Sequence, residues 1–584
     1  MHRFVALVAT LVIAMSARAT ETEDAKLTAF FKRHLEDEFR QRPLEATRLG
    51  DHRFDHRLDD ISAKARAGWT ERTRKTLAAL PKAIDYQKLS RSAQIDYEIL
   101  KHHLTKSLWL AENFHPFEND PRVYNDYISE SIYLLLTQST EPKATNLKNA
   151  AARMAEIPRI VAVAKKTLRN PPKVYVETSI RQNRGAISFY ESGIFEVAGE
   201  SPQTSILAPA AKPVVAALRD YQKFLEEELL RQVTGDWRIG KEKFSKKLEL
   251  ELDAGLTAGQ VLKEAEAEFA RVERDMYVIA RQLWSQLFPK KPLPPDDVEG
   301  GRATIRRVIA QISQEHGKVE NLVRDAADTV ARIKSFIKAN DIVRLPEPDQ
   351  CQVIEMPEFQ RGFSTAYLNP APPLDRRAGS YYAVSPPPSD WDTRRVNSFL
   401  EEYNRYMMQI LTIHEAYPGH YVQLEYSNRH PSLIRRVLYS GAFQEGWAVY
   451  TEQMMLDQGY GDGEVKLRLN QLKWYLRAVG NAILDHKMHC TQMTDKEALE
   501  FLTQRAFQSE GEALGKIVRA KLSSCQLSTY FVGRTAFYKL RQEIQREQGD
   551  KFELGRYHEA VLDHGSLPVK YLPEVVRERL TRLR

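Results

Sequence analysis

The chain has 584 residues, 42% hydrophobic and 28% charged, which allows a large buried core and excludes a disordered or fibrous protein. Its formal charge of +7 is mild for this length, and no basic strip interleaved with aromatics marks a nucleic-acid surface. The three cysteines, Cys351, Cys490 and Cys525, exclude a disulfide scaffold, allow one bridge at most, and lack the spacing of a cysteine zinc site.

In chain order, the first element is an address. His2 and Arg3 precede the apolar run Phe4–Met15, and Ala17-Arg18-Ala19 supplies a small-x-small cleavage pattern before an acidic stretch. Residues 1–19 therefore read as a secretory signal peptide, which predicts a periplasmic or secreted bacterial protein. The run is short of the roughly 20 apolar residues that span a bilayer. No cysteine marks a lipid anchor there, and no later segment is apolar enough to insert stably in a membrane. Losing Arg3 and Arg18 lowers the charge by two, to +5.

Helical periodicity follows over 23–48, 91–112, 144–168, 209–234, 258–287 and 302–338. The proline-rich stretch from Leu287 to Asp297 reads as a loop, dividing an N-terminal helical region, 20–290, from a second region, 291–584. Residues 350–388 differ. Val353-Ile354, Phe363–Tyr367 and Gly379–Val384 predict short strands joined by proline turns at Pro370, Pro372 and Pro373. Helical patterning then resumes near Asp392. The fold class is mainly α with one small β-sheet.

The chemistry concentrates in His414-Glu415-Ala416-Tyr417-Pro418-Gly419-His420. A metallopeptidase needs three protein ligands, an open position for water and a carboxylate that takes the water's proton. Adjacent histidine and glutamate on a helix supply one ligand and the base, because neighbouring side chains point about 100° apart. The second histidine is six residues on, about 240° around an ideal helix and on the wrong side. Pro418 and Gly419 predict a break that returns His420 to His414. Two candidates stand for the third ligand, Glu445 and Glu452, seven apart on one helix face, and periodicity does not choose between them. Without a metal, the same segment reads as a capped helix end with His420 bound to a backbone carbonyl.

These residues resemble a bacterial family called domain of unknown function 885, grouped with the zincin-like peptidases. The similarity lies in His414–His420, Glu445-Gly446-Trp447-Ala448-Val449-Tyr450, Asp485 with His489, Gln526 with Tyr530 and Gly533, and the run from His558 to Pro568. Weaker similarity reaches back to Arg91–Glu98. The chain departs from the family in Asp485-His486-Lys487-Met488-His489 and in Ser524-Cys525-Gln526, where the family has Thr-Gly and Pro-Gly.

The resemblance implies a helical zincin-like metallopeptidase with a small β-sheet near the active site and one zinc ion per chain. His414, His420 and Glu445 are then the ligands, Glu415 is the general base, and Glu452 becomes an outer or surface residue. The substrate is a peptide. Tyr530 is the first choice to stabilise the oxyanion and His489 the second. Asp485 is expected to orient a ligand histidine. His558 and His564 are expected to be structural or to touch substrate. The 379–384 strand, with Tyr381, is expected to pair with an extended peptide. The alternatives are a zinc amidohydrolase acting on a cell-wall or other non-peptide amide, an inactive peptide-binding member, and a metal-free helical binding protein. Nothing in the sequence sets the oligomeric state.

Overall fold

The computed structural model describes residues 22–199, 201–356 and 366–582. The signal-peptide reading of 1–19 and the expected strand residues Phe363–Thr365 lie outside them. The described chain is mainly helical with one three-stranded sheet.

Local capping sets many helix starts. Ser90, Thr257 and Asn404 accept first-turn backbone N–H groups at the heads of Arg91–Asn113, Ala258–Leu287 and Arg405–Glu415. The stretches expected at 144–168 and 209–234 form helices over Lys143–Thr167 and Leu207–Lys223. Two expected helices are divided. Pro43, with no N–H to continue the turn, separates Glu23–Gln41 from Pro43–Leu49. The polar residues 314–318 interrupt the apolar stripe, so 302–338 becomes Val298–Ser313 and Leu322–Ala339.

The larger apolar core draws residues from Leu27 to Leu580 and holds the helices that carry the histidines. A second cluster is built from residues 44–61 and 124–229. Within the larger core, Gly441–Asp457 and Thr529–Gln548 meet backbone to backbone. A Cβ on Gly446 would lie 2.3 Å from Gly533 Cα, and one on Gly533 would lie 1.7 Å from the Ala442 carbonyl oxygen. Only glycine permits this approach, and it brings Glu445 close to Tyr530.

The sheet order is β1-β3-β2, with β1 Cys351–Glu355 parallel to β3 Ser380–Val384 and β2 Ala366–Asn369 antiparallel to it. This corrects the expectation that the 379–384 strand pairs with a peptide. β3 is the central strand, and its hydrogen bonds are taken on both sides. Tyr382 of β3 faces the Arg405–Glu415 helix, where its hydroxyl meets Thr412 Oγ1 at 3.1 Å. Strand alternation therefore turns the neighbouring Tyr381 to the other face, away from that helix.

Candidate metal centre

His414 and Glu415 end the Arg405–Glu415 helix, whose buried face carries Met407, Ile410, Leu411 and Ile413. Ala416 has left helical geometry, with φ −109° and ψ −87°. The Gly419 N–H bonds back to the Ile413 carbonyl at 3.0 Å. A Cβ on Gly419 would lie 1.9 Å from the His414 carbonyl oxygen, so the return is open to glycine alone. Trp447, fully buried, donates its Nε1–H to the Pro418 carbonyl at 2.9 Å and pins the turn. A new helix, His420–Arg429, begins at the second histidine. The two imidazoles consequently lie 4.8 Å apart at 89°.

Glu445 meets this pair from the Gly441–Asp457 helix. Its Oε2 is 3.4 Å from His420 Nε2 and 3.8 Å from His414 Nε2. Ligand-type atoms of the three residues all lie within 4.8 Å of one another. That Glu445 oxygen is buried and accepts no hydrogen bond. On the other side of the ring, His414 Nδ1 donates to Glu452 Oε1 at 2.6 Å. This directs the Nε2 lone pair toward Glu445 and His420. Glu452 is fully buried, which corrects its reading as a possible surface residue.

Burial disfavours a charged His414, but the facing Glu445 carboxylate and the bonded Glu452 outweigh this and raise its pKa to about 10. Burial alone would raise Glu445, yet the two histidines hold it far below the carboxylate range. Two imidazole nitrogens and an orphaned buried carboxylate oxygen converging on one point form the donor set that suits zinc. The residues present therefore fit the implied metal.

Glu415 lines the same cleft as His414 and Tyr530, a cavity of about 500 Å³. Its Oε2 accepts the Leu368 N–H of β2 at 3.0 Å. Tyr530 lies beside Arg519, whose Nη2 donates to the phenol oxygen at 2.9 Å, and near Gln526 at 3.4 Å. Burial, with the Glu445 charge, pushes the Tyr530 phenol up to about 12, so it keeps its proton at neutral pH. A larger cavity, about 1170 Å³, meets the three-residue cluster only at Glu445 and extends past Arg42 and Trp69. The smaller cleft is the one that His414, Glu415 and Tyr530 share.

Other expected residues are not brought to the centre. His489 is buried among Trp237 and Phe244, with Nε2 at 3.0 Å from the Ala520 carbonyl and 2.9 Å from that of Ser523. Asp485 accepts the Cys525 N–H at 3.1 Å and the Ser528 hydroxyl at 3.2 Å, and touches neither ligand histidine. The orienting role expected of Asp485 falls to Glu452, because the Asp485 side chain closes the loop before Thr529–Gln548 instead. His558 donates Nδ1–H to the Ile342 carbonyl at 2.7 Å and accepts from Tyr450 at 2.8 Å, edge-on to Trp447. It supports the tryptophan that pins the turn. His564 Nε2 lies 3.1 Å from the Val575 carbonyl. Sequence reading missed Lys516, Asn481 and Arg519, which line the cleft. Their only signal was position: Lys516 and Arg519 are one turn apart on Glu510–Leu522.

No helix among the described residues is long and apolar enough to cross a membrane. The fold is similar to a solved structure from Shewanella oneidensis, described as a candidate lipoprotein of unknown function. That chain is 31% identical with a TM-score of 0.78, over 96% of this chain and all of the other. A second, a candidate lipoprotein from Colwellia psychrerythraea, is 18% identical with a TM-score of 0.78 at the same coverage, and shares the fold. No curated protein matches the chain. The model of the family described as bacterial protein of unknown function, DUF885, matches residues 43–576, and with nearly the whole described chain inside that span the protein belongs to this family.

Proposed function

We propose that the chain is an exported zinc-dependent peptidase of zincin-like type that hydrolyses peptide bonds in short peptides. The observation that carries this reading is the convergence of His414, His420 and the orphaned Glu445 oxygen beside Glu415 in one cleft. The N-terminal signal pattern and the lipoprotein descriptions of the two neighbours support export.

His414, His420 and Glu445 would hold one zinc ion. Zinc in such a site supplies Lewis acidity, polarising a carbonyl and lowering the pKa of a water to about 7. Glu415 accepts the proton of the attacking water and passes it to the leaving amine. The Leu368 N–H holds that carboxylate at the cleft wall. Tyr530 donates its O–H to the oxyanion that forms on the substrate carbonyl, a kind of contact worth about 3–4 kcal/mol. Glu452 holds the His414 ring in orientation throughout.

The test is digestion of a peptide mixture with the mature protein and with Glu415→Gln, read by mass spectrometry. New peptide ends are expected with the native protein alone, lost on chelation and restored by zinc. A zinc-loaded native protein that leaves the mixture intact would overturn the reading.

A further inference from the structure

The cleft is lined by two buried polar side chains that the chemistry above does not use. Lys516 is 4% exposed and lines the cleft together with His414, Glu415 and Tyr530. Among the described residues its ammonium has no hydrogen bond and no carboxylate within 4 Å, although it sits near enough to Glu445 to feel that charge. Asn481, also 4% exposed and also lining the cleft, has a buried Oδ1 with no hydrogen-bond partner. Buried polar groups are nearly always paired, so an orphaned Asn481 oxygen beside a lysine with no hydrogen bond marks a place where something else completes the bonding.

The neighbouring charges do not fill that role. Glu402 is held by Lys473 at 3.0 Å, and Glu512 by Arg477 at 3.0 Å and the Tyr403 hydroxyl at 2.8 Å. Arg519, more exposed at the mouth of the same cleft, bonds only neutral groups, Gln526 and Tyr530. Lys516 and Arg519 therefore line the cleft without a hydrogen-bonded carboxylate partner of their own. Burial, with Arg477 and Arg519 nearby, holds the Lys516 amine well below the usual lysine range, and a carboxylate bound against it would favour its charged form.

Resting on the peptidase reading, we propose that Lys516 and Asn481 bind the C-terminal carboxylate of the substrate, so that the enzyme acts next to the free C-terminus of short peptides. The carboxylate accepts from the Lys516 ammonium and, with the Asn481 amide turned to donate, from Nδ2. The cleft also carries aromatic side chains, among them Trp391, Phe399 and Trp474, which suit an apolar terminal residue.

Binding can test this without turnover. The probes are acetyl-Ala-Ala-Phe as the free acid and as the C-terminal amide, titrated calorimetrically into zinc-loaded Glu415→Gln. The free acid is expected to bind on the order of tenfold tighter or more, the value of one charge-assisted hydrogen bond. Adding Lys516→Met should abolish the difference. This variant removes a buried unpaired charge and should fold. Asn481→Asp, which places a negative charge in the same cleft, should reverse the preference and serves as the second variant. Equal binding of acid and amide, a preference that survives Lys516→Met, or binding of neither probe would each overturn the proposal. Failure of the peptidase reading shows separately, as native protein that takes up no zinc or cuts no peptide.

Discussion

His414 Nδ1 lies 2.6 Å from Glu452 Oε1, so the first histidine is held from behind by a fully buried carboxylate while its other nitrogen faces Glu445 and His420. Such outer partners typically contribute 10- to 100-fold in metal affinity. Glu452→Gln keeps the shape and loses the charge. It is expected to weaken zinc binding by about 10-fold or more, read by competition with a chromogenic chelator, with little change in far-UV circular dichroism. Unchanged affinity would make Glu452 a purely structural residue.

The return of the chain at Gly419 makes a second variant informative. In Gly419→Ala the new methyl would sit 1.9 Å from the His414 carbonyl oxygen and 2.3 Å from that of Ile413, both backbone atoms. The turn must shift, and His420 moves with it. Zinc content after dialysis should fall well below one per chain while most helices persist. Full zinc retention would mean that the turn tolerates a side chain.

Tyr530→Phe removes the hydroxyl and leaves the ring. Because the phenol keeps its proton at neutral pH, its proposed contribution is a hydrogen bond made in the transition state. The rate constant kcat should fall by about 100-fold or more with KM changed little. A rise in KM with kcat intact would reassign Tyr530 to substrate binding.

Asp485 gives a pH signature unconnected with the centre. Burial lifts its pKa to about 7, even though bonds from Cys525 and Ser528 favour the charge. Between the ordinary aspartate range and pH 7 the folded chain keeps a proton that the unfolded chain has released. Stability should therefore fall as pH rises through this window and level off above about pH 7. Below about pH 4 both states hold the proton and the contribution is flat. Urea unfolding of Asp485→Asn should show a weaker decline than the native chain between pH 4 and 7. Identical slopes would place the titration elsewhere.

Much of the helical frame was legible because it rests on local physics. Ser90, Thr257 and Asn404 cap their helices from within three residues, and the apolar spacing of 405–413 already marks a buried helix. The strand segments were legible as well, but their order was not. That β3 lies between β1 and β2 depends on pairing between residues 29 apart in sequence on its β1 side, as in Cys351 with Ser380. Alternation shows that Tyr381 and Tyr382 face opposite ways, but not which of them meets the helix.

At the site, the sequence alone determined the need for a break: two histidines six apart cannot share one face of a regular helix, and Pro418-Gly419 supplies the interruption. Only the tertiary structure decided which glutamate does what. Glu445 and Glu452 share a helix face, but seven residues separate them by about 10 Å along the axis, so one reaches the imidazoles from the front while the other supports His414 from behind. That choice depends on where the Gly446–Gly533 crossing seats the helix against His414. The same long-range packing sends His489 and Asp485 to other tasks and leaves Lys516 and Asn481 without partners in the cleft. Periodicity fixes the face a side chain occupies. The distance to its partner is fixed by how whole helices pack, and no local pattern encodes that.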